Sequence, residues 1–324
     1  MKAVVINEYG ASNLLHVESL PKPKAESHDV LIRIHASGIN PMDYKIREGT
    51  MKLILSGDFP KVLGLECAGV VEEVGEMVTS VKAGDRVVAS LGASGGGYAE
   101  YVIAQDKNLV KIPDEVDFDT AATMVVGGLT ALHALRDYGK LRPDERVLIN
   151  GASGGVGVFA VQLARILGGQ VTAVCSVANS ELVRSLGAHQ VINHETTDFT
   201  KGVEKYKLIF DAVGKSSFGE CRDVLTEDGI YVSTLPSPKQ ILQNLASTFT
   251  SQKSESFIMK FNQEDMSWLL KLAAEGQLKS VIDRTYPLEG LQAAHDYSES
   301  GKVKGKLVVE VTSPTNQKST QETV

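Results

Sequence analysis

The alternation of apolar and polar positions changes character near residue 120. Before that point, short apolar runs at residues 2–7, 30–35, 68–74, 86–90 and 98–103 are separated by turn clusters such as Lys82-Ala83-Gly84-Asp85 and Gly95-Gly96-Gly97. Runs of this length bounded by turn residues predict strands, so the first part is expected to be β-rich with few helices. Beyond residue 119, helical and strand patterns alternate. A long helical signal over 117–138 is interrupted at Gly127-Gly128. A strand over 146–150 is followed by a helix over 156–167, with Val156, Phe159, Ala160, Leu163 and Leu167 apolar. Further strands are predicted at 170–176, 189–193, 207–213, 229–234 and 257–261, with a helix at 180–186. Strands separated by helices of this length imply right-handed crossovers and a parallel sheet. Val147-Leu148-Ile149 and Leu208-Ile209-Phe210 are the continuous apolar runs expected of strands covered on both faces. After a helix at 264–275, β-like segments at 281–288 and 306–311 flank a helix over 288–298. The expected division is a discontinuous domain of residues 1–121 and 265–311, a second domain of 122–264, and a polar, disordered tail over 312–324.

One turn carries candidate chemistry. The strand Arg146-Val-Leu-Ile-Asn150 runs into Gly151-Ala-Ser-Gly-Gly-Val-Gly157 and then an amphipathic helix. A pyrophosphate needs close approach to backbone, and a helix N-terminus offers N–H groups and a positive dipole end. Ser153, Gly154, Gly155, Val156 and Gly157 are therefore the candidate contacts. Gly154 leaves room for the ligand, Gly157 lets the helix pack against the strand, and Ala152 stands where the usual first glycine falls. The strand–turn–helix context separates this motif from a chance glycine cluster. Dinucleotides with a free 2′-hydroxyl are commonly held by an acidic residue about 20 residues further on. Here the second strand ends at Cys175-Ser176, followed by Val177-Ala178-Asn179, without a carboxylate. That favours NADPH, with Ser176 and Asn179 as hydrogen-bond donors. No arginine or lysine is adjacent, and Arg184 reads equally as a solvated side chain.

Composition narrows the setting. The 324 residues suit two domains, and 43% hydrophobic with 23% charged residues is ordinary for a globular protein. The formal net charge of −7 argues against nucleic acid as the main partner. Cys67, Cys175 and Cys221 have no metal-ligand or redox spacing, which suits a reducing, cytoplasmic setting. No apolar run approaches the roughly 20 residues that span a bilayer, and no membrane association is expected.

Asn40-Pro-Met-Asp-Tyr-Lys45, Gly64-Leu-Glu-Cys-Ala-Gly69, Gly84-Asp-Arg-Val87, Gly97-Tyr-Ala-Glu-Tyr101 and Ala152-Ser-Gly-Gly-Val-Gly157 resemble the medium-chain dehydrogenase/reductase superfamily, in its zinc-free quinone oxidoreductase branch. The resemblance covers residues 1–311. It implies an α/β chain: a GroES-like, β-rich catalytic domain plus a Rossmann, doubly wound parallel-sheet domain for the cofactor. Zinc alcohol dehydrogenases of this superfamily place a cysteine where this chain has Asn40 and a histidine where it has Leu65. Zinc wants thiolate or imidazole, so no metal site is expected.

The implied activity is NADPH-dependent hydride transfer to a quinone or an α,β-unsaturated carbonyl, by a homodimer. Asn40, Tyr44 and Lys45 lie on the segment that faces the nicotinamide in the family. Lys45 is the cation that holds the acceptor oxygen, or a surface lysine, or a lysine in a salt bridge to Asp43, and Tyr44 is a candidate proton donor. Asp43 reads as a structural group of this loop, and Glu66 as a group that fixes neighbouring backbone or an arginine. By position, Thr130, His194, Val213, Ser233, Leu235 and Lys306 are further cofactor contacts. Thr130 and His194 read equally as an ordinary helix threonine and a solvated histidine. Lys306 either reaches the cofactor phosphates or points into solvent. Two other activities stay open: reversible alcohol/ketone oxidoreduction, and NADPH binding without turnover on the same fold.

Overall fold

Val147, Leu148 and Ile149 are wholly buried at the centre of a six-stranded parallel sheet. The computed structural model describes residues 1–52, 58–234, 244–245, 247 and 250–311. They fall into two units: Met1–Val125 with Phe261–Ala274 and the residues from Ile282 on, and Val126–Lys260 with Glu275–Val281. The first crossover thus comes at 125, inside the helical stretch, rather than at 121. The expected return at 265 comes at 261, and the excursion of Glu275–Val281 into the second unit was not anticipated. Leu235 and the tail 312–324 lie outside the described residues.

In the second unit the strand order is Gln190–Asn193, Gln170–Cys175, Arg146–Asn150, Tyr206–Asp211, Leu225–Ser233, Lys253–Ser256. Numbered along the unit this is 3-2-1-4-5-6, the doubly wound order. Its chain direction reverses beside Arg146–Asn150, so a crevice opens at the carboxyl ends of the first and fourth strands. The helix Gly157–Ile166 is buried over most of its surface, with Val158, Phe159, Ala160, Val161, Leu163 and Ala164 all inaccessible. It packs on the strand Gln170–Cys175 and on the helix Val126–His133. Gly127 makes the second contact possible, because a Cβ there would lie 2.9 Å from Gly155 O and from the Phe159 ring.

The first unit holds a seven-stranded, mainly antiparallel sheet built around the long strand Asp29–Ile39, and a three-stranded sheet of His16–Ser19, Lys2–Ile6 and Lys61–Val62. Asp29–Ile39 pairs with Glu66–Val74, Tyr101–Gln105 and Lys306–Glu310. Lys306–Glu310 runs along its far end, bringing C-terminal residues beside Gly38 and Ile39.

Three elements depart from the sequence expectation. The long helix breaks at Val125, into Phe118–Met124 and Val126–His133, rather than at Gly127-Gly128. The last strand of the parallel sheet is the polar segment Lys253–Ser256, not 257–261. It is an edge strand with one neighbour, so it need not be apolar. Phe257 instead stacks on Tyr138 at 4.3 Å. The run at 98–103 is a strand only over Tyr101–Gln105, with Tyr98 buried ahead of it. Among the described residues, no single helix is long and apolar enough to cross a membrane.

A buried amide helps to fasten the excursion of Glu275–Val281. Gln162 Nε2 donates to Lys279 O at 2.9 Å, and Lys279 N donates to Gln162 Oε1 at 2.9 Å. We expect Gln162→Leu to lower unfolding stability by about 1–3 kcal/mol, because it leaves two backbone groups unsatisfied. A urea melt that matches the parent would show that the segment is held by something else.

Candidate functional site: a dinucleotide turn and a buried polar cluster

The turn is built from main-chain contacts. Gly151 has φ 78°, a left-handed conformation that glycine adopts without cost. The amides of Gly151 and Ala152 both donate to Val174 O, at 3.1 and 3.0 Å, which hitches the turn to the second strand. A Cβ on Gly157 would stand 2.1 Å from Gly151 O, so glycine is required for the helix to start this close to the turn. Gly154 differs. A Cβ there would meet only Gly151 O, at an ordinary 3.4 Å. The protein's own packing gives no reason for glycine at 154, while a ligand descending on the turn would. In the first turn of the helix Gly157–Ile166, Val158 N donates to Gly154 O and Ala160 N to Val156 O, both at 3.0 Å, and the helix adds its positive dipole end at the turn. The arrangement fits a pyrophosphate.

Around the turn, Asp211 is buried and accepts from Asn150 Nδ2 (3.1 Å), Val213 N, Gly214 N (2.9 Å), Ser216 N (2.8 Å) and the Tyr231 hydroxyl (3.0 Å). It shapes the loop that lays Val213 beside Gly151, where a Cβ on the glycine would come within 2.4 Å of Val213 Cγ1. Ser153 accepts a hydrogen bond from Asn179 Nδ2 at 3.0 Å. That ties the turn to the end of the second strand, where Ser176 is half-buried. Thr130 and Ser233 are buried, and His194 is exposed. The expectation of a second-strand end without a carboxylate needs correction: Glu195 reaches it from the next loop, with Oε2 accepting from Val177 N at 3.4 Å. The counting rule looks along one strand and misses a neighbour that arrives from the adjacent one.

The first unit holds a buried polar cluster beneath the segment 40–45. Lys306 is almost inaccessible, and its ammonium donates to Asn40 Oδ1 at 2.5 Å and to Glu66 Oε1 at 2.9 Å. Asn40 Nδ2 donates to the same Glu66 oxygen at 2.8 Å. Glu66 enters against the strand Asp29–Ile39 only because residue 38 is glycine, where a Cβ would lie 2.0 Å from the carboxylate. This corrects the reading of Lys306. Its charge is committed to Glu66 within the first unit rather than extended towards phosphates or solvent. It also corrects Asn40, which is buried and tied to both charged partners rather than presented to a substrate.

Asn40 caps the helix Pro41–Arg47, and its backbone N–H donates to Asp43 Oδ2 at 2.7 Å. Asp43 Oδ1 accepts from Gly64 N at 3.1 Å. Asp43 is fully buried, so the alternative pairing with Lys45 does not form. Burial, with nearby Glu66 adding to it, pushes the Asp43 carboxyl up to about 7. At the other end of the helix, buried Arg47 donates to Gly10 O at 3.0 Å and to His295 Nδ1 at 3.3 Å, and pairs with Glu299 at 2.8 Å. With both ends fixed, Tyr44 and Lys45 are left half-buried on the open face. Burial, then Glu299 and Glu48, raise the Tyr44 hydroxyl above its ordinary value, which keeps it protonated at neutral pH.

A glycine turn at the switch point of a doubly wound sheet, joined in one chain to an antiparallel β domain, is the architecture of two-domain oxidoreductases. Residues 26–114 match the model described as alcohol dehydrogenase GroES-like domain, and residues 186–309 the one described as zinc-binding dehydrogenase. The chain is 35% identical to a chloroplast envelope quinone oxidoreductase homolog of Arabidopsis thaliana, over 96% of this chain and 98% of that one. The structure of the quinone oxidoreductase from Coxiella burnetii superposes with a TM-score of 0.91 at 32% identity, covering 96% of this chain and 99% of the other. Escherichia coli quinone oxidoreductase complexed with NADPH superposes at 0.85 with 26% identity, covering 96% and 100%. The chain belongs to the medium-chain dehydrogenase/reductase superfamily, in its quinone oxidoreductase branch.

Two expectations follow from the geometry. Gly154→Ala should leave thermal stability unchanged, because its Cβ has space, and weaken binding of reduced nicotinamide dinucleotide at least about tenfold by closing the approach. Gly157→Ala should cost about 1–3 kcal/mol in the fold itself. Calorimetric titration and thermal melts of both variants check this, and equal effects of the two would refute it.

The second concerns pH. Burial and the neighbouring Arg47 charge lower the His295 imidazole to about 3. The unfolded chain takes up this proton near pH 6.5 and the folded chain does not, so stability is lost as pH falls from about 6.5 towards 3. Asp43 acts in the opposite sense: the folded chain keeps its proton up to about 7, so its contribution grows as pH falls through the same window. The two partly cancel in the parent protein. Removing the imidazole with His295→Gln should therefore improve stability relative to the parent by about 2 kcal/mol between pH 7 and pH 5. Urea melts at the two pH values measure it, and a constant difference would contradict a neutral buried His295.

Proposed function

We propose that the protein transfers a hydride from a reduced nicotinamide dinucleotide to a quinone, or to a related α,β-unsaturated carbonyl, without a metal. The observation that carries the reading is the open seat over Gly154, set among glycines that the fold itself requires. The dinucleotide supplies the hydride when bound. A quinone that receives a hydride and one proton becomes a hydroquinone, so this chain's residues must hold the acceptor and deliver the proton.

Tyr44 suits the proton because its hydroxyl is half-buried on a helix fixed at both ends and carries its proton at neutral pH, although the raised pKa makes it a weak acid. Lys45 suits the acceptor oxygen, having lost its alternative partner Asp43 to the backbone. These two roles rest on the family resemblance as well as on the local geometry. The metal-free reading rests on the donor set. The positions that carry zinc-binding cysteine and histidine in zinc alcohol dehydrogenases are Asn40, already bound to Lys306 and Glu66, and Leu65, a core residue. The buried ammonium of Lys306 lies against Asn40, where a second cation would be repelled.

The dinucleotide expected from the sequence is NADPH, and the E. coli relative's structure with NADPH supports that choice. Glu195, at the end of the second strand, opposes it. Dinucleotide oxidation followed with a panel of quinones and enones tests the activity. We expect turnover that survives extensive chelation and falls about 10²-fold in Tyr44→Phe. Tight dinucleotide binding with no acceptor reduced would refute the activity, and full turnover in Tyr44→Phe would refute its role.

A further inference from the structure

We infer that the ribose end of the dinucleotide seat is built for a free 2′-hydroxyl, with Glu195 and Asn179 as the specificity-determining residues, so that the chain prefers NADH to NADPH. The inference rests on the dinucleotide-binding reading above and deepens it. In a doubly wound sheet the adenosine ribose lies at the carboxyl end of the second strand. Here that end is Cys175, followed by the turn Ser176-Val177-Ala178-Asn179.

Two acceptors converge there. Glu195 comes from the loop after the strand Gln190–Asn193, whose last residue is paired with Cys175. Its backbone N–H donates to Asn193 Oδ1 at 3.0 Å, and its Oε2 accepts from Val177 N at 3.4 Å. The carboxylate is thus held across the end of the second strand by a turn of its own loop. Asn179 spends its Nδ2 on Ser153 Oγ, and its buried Oδ1 has no hydrogen-bond partner. A buried amide oxygen without a donor is costly, and a bound hydroxyl would supply one.

The charges agree with this. A 2′-phosphate brings close to two negative charges and only acceptor oxygens, so it needs cations and donors. Residues 175–180 and 193–197 contain no lysine or arginine. Arg184, the nearest cation along the chain, is felt at Cys175, but its side chain lines a depression with Ile192, Thr197, Phe199 and Tyr206. A 2′-hydroxyl can donate to the Glu195 carboxylate or to Asn179 Oδ1, whereas a 2′-phosphate would face both acceptors with no donor to give.

The test is a calorimetric titration of the whole chain with NADH and with NADPH, for the parent, Glu195→Gln and Glu195→Lys. We expect the parent to bind NADH at least tenfold more tightly than NADPH. Glu195→Gln should narrow that ratio, and Glu195→Lys should invert it through tighter NADPH binding, with melting temperatures unchanged because residue 195 is exposed. NADPH binding more tightly than NADH in the parent, or a ratio unmoved by both substitutions, overturns the inference while leaving the dinucleotide-binding reading intact. Failure of the parent to bind either dinucleotide overturns both.

Discussion

The close approach of a helix to a turn sets the second unit's geometry. The helix Gly157–Ile166 begins so near Gly151 that no side chain fits at 157. That contact lets the buried face of the helix lie flat on the parallel sheet, with Phe159 and its neighbours inaccessible. The same contact directs the N-terminal end of the helix over the carboxyl edge of the sheet. Helix N–H groups, a turn hitched by two amides to the second strand, and an unobstructed Gly154 follow from this one constraint. An anion seat is its geometric consequence.

The first unit solves a different problem, which is how to hold a short helix rigidly at the edge of an antiparallel sheet. It does so with buried charge. Lys306, Glu66 and Asn40 satisfy one another at one end of the helix, and at the other buried Arg47 bridges His295 and the exposed Glu299. Such pairs contribute little net stability compared with apolar packing, but losing one partner strands the other, so they enforce a single arrangement. The strand Lys306–Glu310 returns from the far end of the chain to supply the cation. The helix is therefore completed only when the C-terminal segment has joined the sheet.

The sequence made much of this legible. Strands such as Arg86–Ser90 and Arg146–Asn150 fall where the apolar runs place them, and the glycine turn is recognisable because three levels of pattern agree: strand, turn and helix. What was not legible depends on contacts between distant segments. Lys306 reads as a contact to cofactor phosphates or a solvated lysine because nothing local reveals Glu66, which lies 240 positions away. Glu195 escapes a rule that counts along one strand, since its carboxylate arrives from the neighbouring loop. Lys253–Ser256 looks polar because an edge strand has little to bury. The role of Gln162 is invisible in the sequence, since its amide gains two backbone partners only through the excursion of Glu275–Val281.

The central claim is that the turn from Gly151 to Gly157 receives the pyrophosphate of a nicotinamide dinucleotide. Hydrogen exchange at the backbone amides of residues 153–158, measured with and without saturating reduced dinucleotide, tests it most directly. The account predicts that these amides slow markedly on binding, together with the amide of Val177. Saturation demonstrated by calorimetry with no change in exchange over 153–158 would place the ligand elsewhere and contradict it.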